Sequence, residues 1–185
     1  MNGLIDDRFI EERINGVIYL MARPNRQHLR TQGNIITIFN NYFRRKNKKC
    51  EAVFEDEINI SKDDKIIPDV LVYCYDCDKK DKDNDLALIV IEVLSKSTRK
   101  KDLNAKKKKY AELGIQEYWV VDYNIQVMDI YILENGHYDL QITCGIEDID
   151  DDVDEEEHKD LVSEFTPTLF PDLIVKAEDI FYSVI

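Results

Sequence analysis

Nine consecutive residues, Leu86-Ala87-Leu88-Ile89-Val90-Ile91-Glu92-Val93-Leu94, constrain the fold of this chain more than any other segment. A short run this apolar reads as a strand buried on both faces, as found at the centre of a sheet covered by helices. Ser95-Lys96-Ser97-Thr98 follows with hydroxyls suited to capping a helix. That helix is expected to run to about Leu113 and to stop at Gly114, because glycine takes the left-handed conformation that ends helices without a steric cost. Glu117-Tyr118-Trp119-Val120-Val121-Asp122 then reads as a second buried strand. Strand, helix and strand in this order predict an α/β core with a mixed central sheet flanked by helices.

The remainder fits around that core. A helix is expected over 26–46, where Ile35, Phe39, Tyr42 and Phe43 recur at the spacing of one buried stripe. Before it, residues 8–22 read as a short helix, a turn at Asn15-Gly16 and a strand from Val17 to Met21. From Cys50 to Ile60 the pattern has period two, with Ala52, Phe54, Ile58 and Ile60 on one face and Glu51, Glu55 and Glu57 on the other. Ile66 to Cys74 reads as a strand, with Pro68 near its start where a missing N–H is tolerated. Residues 76–85 form a charged loop. Val127–Leu133 and Tyr138–Thr143 flank Asn135-Gly136, a strong signal for an added β-hairpin. A last strand and a short helix close the chain. No linker or repeat divides the 185 residues, so a single domain is expected.

The formal net charge of −13 argues against non-specific binding to nucleic acid. Nine acids fall between Glu147 and Glu157, however, and without them the charge is −4. The stretch 147–160 reads as a mobile acidic loop. Bases gather at Arg44, Arg45, Lys46, Lys48 and Lys49, and again at Arg99, Lys100, Lys101 and Lys106 to Lys109. Each cluster suits either a phosphate backbone or a solvated helix face. No run approaches the roughly 18 apolar residues of a membrane helix, and the N-terminus lacks a signal-peptide layout. A cytoplasmic location with no membrane partner is therefore expected, with Cys50, Cys74, Cys77 and Cys144 as reduced thiols. Cys74-Tyr75-Asp76-Cys77 has CxxC spacing, but it precedes a charged loop rather than an apolar helix, and no second pair completes a zinc site.

The chemistry centres on Asp69 and Glu92. Asp69 opens one strand and Glu92 lies near the end of the next. An ionised carboxylate in so apolar a strand is costly unless something pairs with it. A structural salt bridge is one such partner. A divalent cation is another, since Mg²⁺ takes one or two carboxylates together with water and substrate phosphate. On the following helix Asp102, Lys106 and Tyr110 lie along one stripe. Lys106 is placed to return to the carboxylates, while a surface ion pair with Asp102 is its plainer reading. Tyr110 is read as core packing.

The segments Ile67-Pro68-Asp69-Val70, Ile91-Glu92-Val93-Leu94-Ser95-Lys96-Ser97-Thr98, Asp102-x3-Lys106-x3-Tyr110 and Gly114 to Asp122 together resemble the Uma-two family. This is a bacterial nuclease family of the restriction-endonuclease-like, or PD-(D/E)XK, superfamily. The resemblance runs from about Glu12 to Phe181 and implies a restriction-endonuclease-like core. It implies a metal-dependent endonuclease acting on DNA, with Mg²⁺ or Mn²⁺ as cofactor and a homodimer as the working form. Asp69 and Glu92 would hold the ion, with the backbone carbonyl of Val93 as a further ligand, and Lys106 would stabilise charge developing at phosphorus. Glu12, in the first helix, and His28, at the start of the second, match family positions and are additional candidates. Arg99, Lys100 and Lys101 are candidates for nucleic-acid contact. The chain departs from the superfamily pattern at Leu94, where a lysine is common, and Lys106 is the natural substitute. It departs from the family at Lys96 and Asn15, neither of which touches the proposed ligands. The competing function is a catalytically weak nucleic-acid- or protein-binding scaffold that keeps the fold.

Overall fold

The structure is a computed structural model, and it describes residues 11–20, 23–61, 64–75, 87–95, 102–146 and 161–183. The acidic stretch 147–160, Cys77 with its loop, and Arg99, Lys100 and Lys101 lie outside the described residues.

Residues 11–20 correct the first expectation. They form a hairpin of β1 (Glu11–Ile14) and β2 (Val17–Leu20), and Glu12 sits on a strand rather than in a helix. Asn15 and Gly16 both have positive φ, 52° and 75°. That pair of conformations belongs to the two-residue turn whose twist matches antiparallel strands. Helix α1 (Arg26–Lys46) follows as expected, capped by the Asn25 side chain, which accepts a hydrogen bond from the His28 N–H. Arg44, Arg45 and Lys46 fill its last turn, where positive charge complements the helix dipole.

The expected strand over 50–60 breaks in two, because Glu55 turns to φ 44°. β3 (Cys50–Phe54) pairs with the main sheet, and β4 (Ile58–Asn59) joins a smaller one. Phe54, expected to face inward, is exposed. The next segment also divides, into β5 (Lys65–Ile66) beside β1 and β6 (Val70–Cys74) in the main sheet, so that Ile67, Pro68 and Asp69 bridge the two sheets. Then come β7 (Ile89–Val93), a π-helical turn (Asp102–Lys106) running into α2 (Lys107–Leu113), β8 (Glu117–Asp122), and the hairpin of β9 (Val127–Glu134) and β10 (His137–Gly145). Short strands β11 (Leu161–Val162), β12 (Glu164–Phe165) and β13 (Val175–Lys176) lead into α3 (Ala177–Phe181).

The main sheet runs β11-β10-β9-β8-β7-β6-β3. It is mixed: β7 pairs with β8 in parallel and with β6 antiparallel. All residues of β7 and β8 are buried, as the apolar runs predict. Side-chain alternation sorts them onto two cores. Ile89, Ile91, Val93, Trp119 and Val121 pack with Ile35, Phe39 and Phe43 of α1. Val90, Leu94, Tyr118 and Val120 pack with Tyr110 of α2 and with Ile14 and Ile66 of the small sheet. Glu92 belongs to the second set by position, between Val90 and Leu94.

Cys50 and Cys74 form a disulfide across β3 and β6, where two reduced thiols were expected. Strand register is the reason, and spacing in the sequence does not reveal it. The Tyr75 N–H donates to the Lys49 carbonyl, which leaves Cys50 and Cys74 at the close, non-hydrogen-bonded position next to it.

At the far end of α1, Lys46 bridges to Asp172 at 2.6 Å, and the Tyr42 hydroxyl donates to the same carboxylate. These hydrogen bonds, from Lys46 first, pull the Asp172 pKa down to about 2. The folded pKa therefore lies below the unfolded one, so the contact contributes its full stability above pH ~4 and loses it as pH falls towards 2. Asp172→Asn is expected to reduce stability modestly at neutral pH and to leave it unchanged near pH 2. Urea unfolding across that range measures both.

Candidate active site

The site forms where β6 begins. Val70 pairs with Ile91, so the same register carried one residue further sets Asp69 across from Glu92. The β6 ladder stops there, and the Asp69 side chain continues it: Oδ2 accepts a hydrogen bond from the Val93 N–H at 2.7 Å. In a strand, one residue's N–H and C=O point to the same neighbour. The Val93 carbonyl therefore faces the same gap as Asp69, while the Leu94 N–H turns the other way to the Val121 carbonyl of β8.

Asp69 Oδ1 is held from α1. His28 Nε2 lies 3.0 Å from it and Gln32 Nε2 donates to it at 3.0 Å. An ionised carboxylate only accepts, so His28 places its proton on Nε2. Gln32 also donates to the Asp69 backbone carbonyl at 3.3 Å. The helix start is itself pinned, since Asn25 caps it and donates through Nδ2 to the Tyr123 hydroxyl beyond β8.

Glu92 is held from α2. Its Oε1 accepts from Lys106 Nζ at 2.9 Å and from the Tyr110 hydroxyl at 2.5 Å. Burial, with the Glu92 carboxylate beside it, raises the Tyr110 pKa well above the usual phenol value, so the hydroxyl stays a donor. Lys106 also reaches Glu12 Oε1 of β1 at 2.7 Å and the Ile67 carbonyl at 3.5 Å. The Ile67 N–H donates back to Glu12 Oε1 at 3.0 Å. Lys106 is only 1 % exposed, so its ammonium lies in the core rather than at the surface. The π-helical turn ends at this residue, and such turns recur at functional sites.

The structure thus buries all five candidates in two groups: His28 on Asp69, and Lys106 between Glu12 and Glu92. Two further residues belong with them. Tyr110 packs in the core as expected, and its hydroxyl also touches Glu92. Gln32 carried no functional reading in the sequence. The available signal was its position, since His28 and Gln32 extend the Ile35–Phe39 stripe backwards into polar residues on a buried helix face.

Charge and hydrogen bonding both bear on a cation. Glu12 and Glu92 share the Lys106 ammonium, while Asp69 is held by His28, Gln32 and the Val93 N–H. Gln32 is 0 % exposed, and its Oε1 has no hydrogen-bond partner among the described residues. A buried acceptor left unmade costs about 1–3 kcal/mol. Among the described residues no three His, Cys, Asp or Glu groups form a ready metal cage. A Mg²⁺-type site does not need one, because carboxylate, carbonyl, water and substrate phosphate share the ligation. The donors here are oxygens, which suits a hard cation.

Comparison with known proteins places this arrangement. Among solved structures, the crystal structure of a protein from Anabaena variabilis ATCC 29413, described as "a putative nuclease belonging to DUF820", superposes with a TM-score of 0.69. The alignment covers 92% of this chain and 89% of that one at 16% identity, which establishes a shared fold. No curated protein matches the chain. The model of the Uma2 family, described as "Putative restriction endonuclease", matches residues 6–167, a span that includes every residue of the cluster. With its mixed sheet, flanking helices and added hairpin, the chain has a restriction-endonuclease-like core and belongs to the Uma2 family.

Proposed function

We propose that this protein is a metal-dependent endonuclease that hydrolyses DNA phosphodiester bonds, using Asp69, Glu92 and the Val93 carbonyl to hold one Mg²⁺ or Mn²⁺ ion. The observation that carries this reading is the pair of buried carboxylates, Asp69 and Glu92, each oriented by its own hydrogen-bond partners where β6 meets β7. Family membership supports it independently. When bound, the ion supplies an activated water and screens the phosphate oxygens.

The chain's own residues do the rest. His28, Gln32 and the Val93 N–H fix both oxygens of Asp69, so the carboxylate is oriented before any ligand arrives. Tyr110 and Lys106 fix Glu92. The Lys106 ammonium is engaged by Glu12, Glu92 and the Ile67 carbonyl, so we assign it as a positioning residue. Its charge favours anionic states at the neighbouring phosphate without direct contact. Glu12 anchors Lys106. Two copies, one facing each strand, are the arrangement that cuts a duplex, which is an argument by analogy with nucleases of this fold.

A scaffold without activity is the second reading, and the net charge of −13 favours it. The two separate in an assay with Mn²⁺ on single-stranded, double-stranded and branched DNA. The nuclease reading expects cleavage of at least one form, abolished by Glu92→Gln. No cleavage of any form by a folded wild-type protein supports the scaffold.

A further inference from the structure

We infer that Gln32 supplies a neutral oxygen to the cation centre, through the very atom the protein leaves without a partner. The inference rests on the metal reading above and goes beyond it, because Gln32 is neither acidic nor on the segments that carry Asp69 and Glu92.

Gln32 is wholly buried on α1. Its amide nitrogen is committed, with hydrogen bonds to Asp69 Oδ1 at 3.0 Å and to the Asp69 carbonyl at 3.3 Å. That commitment fixes which end of the amide is which, since only the nitrogen can donate to a carboxylate. Oε1 is bonded to the same carbon as that nitrogen, so it sits beside Asp69. It has no hydrogen-bond partner among the described residues. Another α1 side chain shows that this is not general looseness. Asn40 satisfies both ends of its amide, donating to the Ala52 carbonyl and accepting from the Ala52 N–H.

A buried acceptor beside a carboxylate is suited to a positive or donating ligand. A hydrated divalent ion is both, since its waters donate and the metal itself takes oxygen ligands. Gln32 then has two roles on one side chain. Its nitrogen orients Asp69, and its oxygen joins the ion's ligand shell, directly or through a bound water. A cation at this position satisfies the orphaned atom and meets the Asp69 carboxylate beside it.

The roles separate by substitution. Gln32→Met keeps the length but has no polar groups. Gln32→Glu keeps an oxygen donor and loses the amide nitrogen. Calorimetric titration of the full chain with MnCl₂ at neutral pH reads affinity without relying on activity. Circular dichroism checks each fold, and the Mn²⁺-induced shift in melting temperature serves as a second readout. We expect Gln32→Met to weaken Mn²⁺ binding about 10–100-fold, the usual scale for supporting residues of a metal site, and Gln32→Glu to bind at least as tightly as wild type. Equal weakening in both variants overturns the inference, because the nitrogen's hold on Asp69 then explains everything. So does unchanged binding in Gln32→Met when Asp69→Asn abolishes it, a result that leaves the metal reading standing. If the wild type does not bind Mn²⁺ at all, the metal reading itself fails, and this inference with it.

Discussion

Replacing Lys106 by methionine is expected to cost about 3–5 kcal/mol of folding stability, the range for removing one partner from a buried ionic group. The side chain is 1 % exposed and its ammonium lies within 2.9 Å of both Glu12 and Glu92. Without it, the two buried carboxylates of Glu12 and Glu92 lose the ammonium they share across the small sheet and β7. For a domain of this size that loss corresponds to a drop of roughly 6–20 °C in melting temperature. The cause is specific enough to check by rescue. Glu12→Gln in the Lys106→Met background removes one of the stranded charges and should recover part of the loss. A Lys106→Met protein that melts within a degree or two of wild type would mean that the ammonium is not the group holding this cluster together.

The second large effect concerns chemistry. Asp69→Asn and Glu92→Gln are each expected to lower metal-dependent cleavage by at least about 10²–10³-fold, the scale on which one preorganised electrostatic group contributes to a rate. Their effects on folding should be smaller than that of Lys106→Met. Asparagine keeps one oxygen for the Val93 N–H or for the α1 donors, though not for both, and the cost of one compromised hydrogen bond is about 1–3 kcal/mol. Glutamine at position 92 keeps an oxygen for Lys106 and Tyr110. Rate measurements on folded variants, with melting curves alongside, separate the two quantities. Variants that cut as fast as wild type would remove both acids from the catalytic account.

The parts of this architecture that were legible in the sequence are those set by local pattern. The apolar runs of β7 and β8, the stripe of α1, the αL stop at Gly114 and the Asn135-Gly136 hairpin each carry their own signal. The turn at Asn15-Gly16 lies where the sequence places it, but the segment before it is strand β1 rather than helix. The break at Glu55 was not legible, because a period-two pattern runs through it and only the positive φ reveals the change of sheet. The Cys50–Cys74 bond depends on register between strands 24 residues apart, which composition does not encode.

The candidate site divides in the same way. Asp69 and Glu92 stood out because a charge within an apolar pattern demands a partner, and Lys106 because it shares a helix stripe with Asp102 and Tyr110. Gln32 carried no functional reading, and Tyr110 read as core packing. Their roles come from which core each helix face meets, and that is a tertiary fact. The path from sequence to chemistry is still short. β7 buries Glu92, α2 returns Lys106 and Tyr110 to it, and the bend at Asp69 sets the second carboxylate at the mouth of the same sheet.

The most direct measurement is anomalous diffraction from crystals of the full chain soaked in MnCl₂. The account predicts one strong peak within coordination distance of the carboxylates of Asp69 and Glu92 and the carbonyl of Val93, absent from Asp69→Asn crystals. A fully soaked crystal with no peak there, and Lys106 still bridging Glu12 and Glu92, would contradict it.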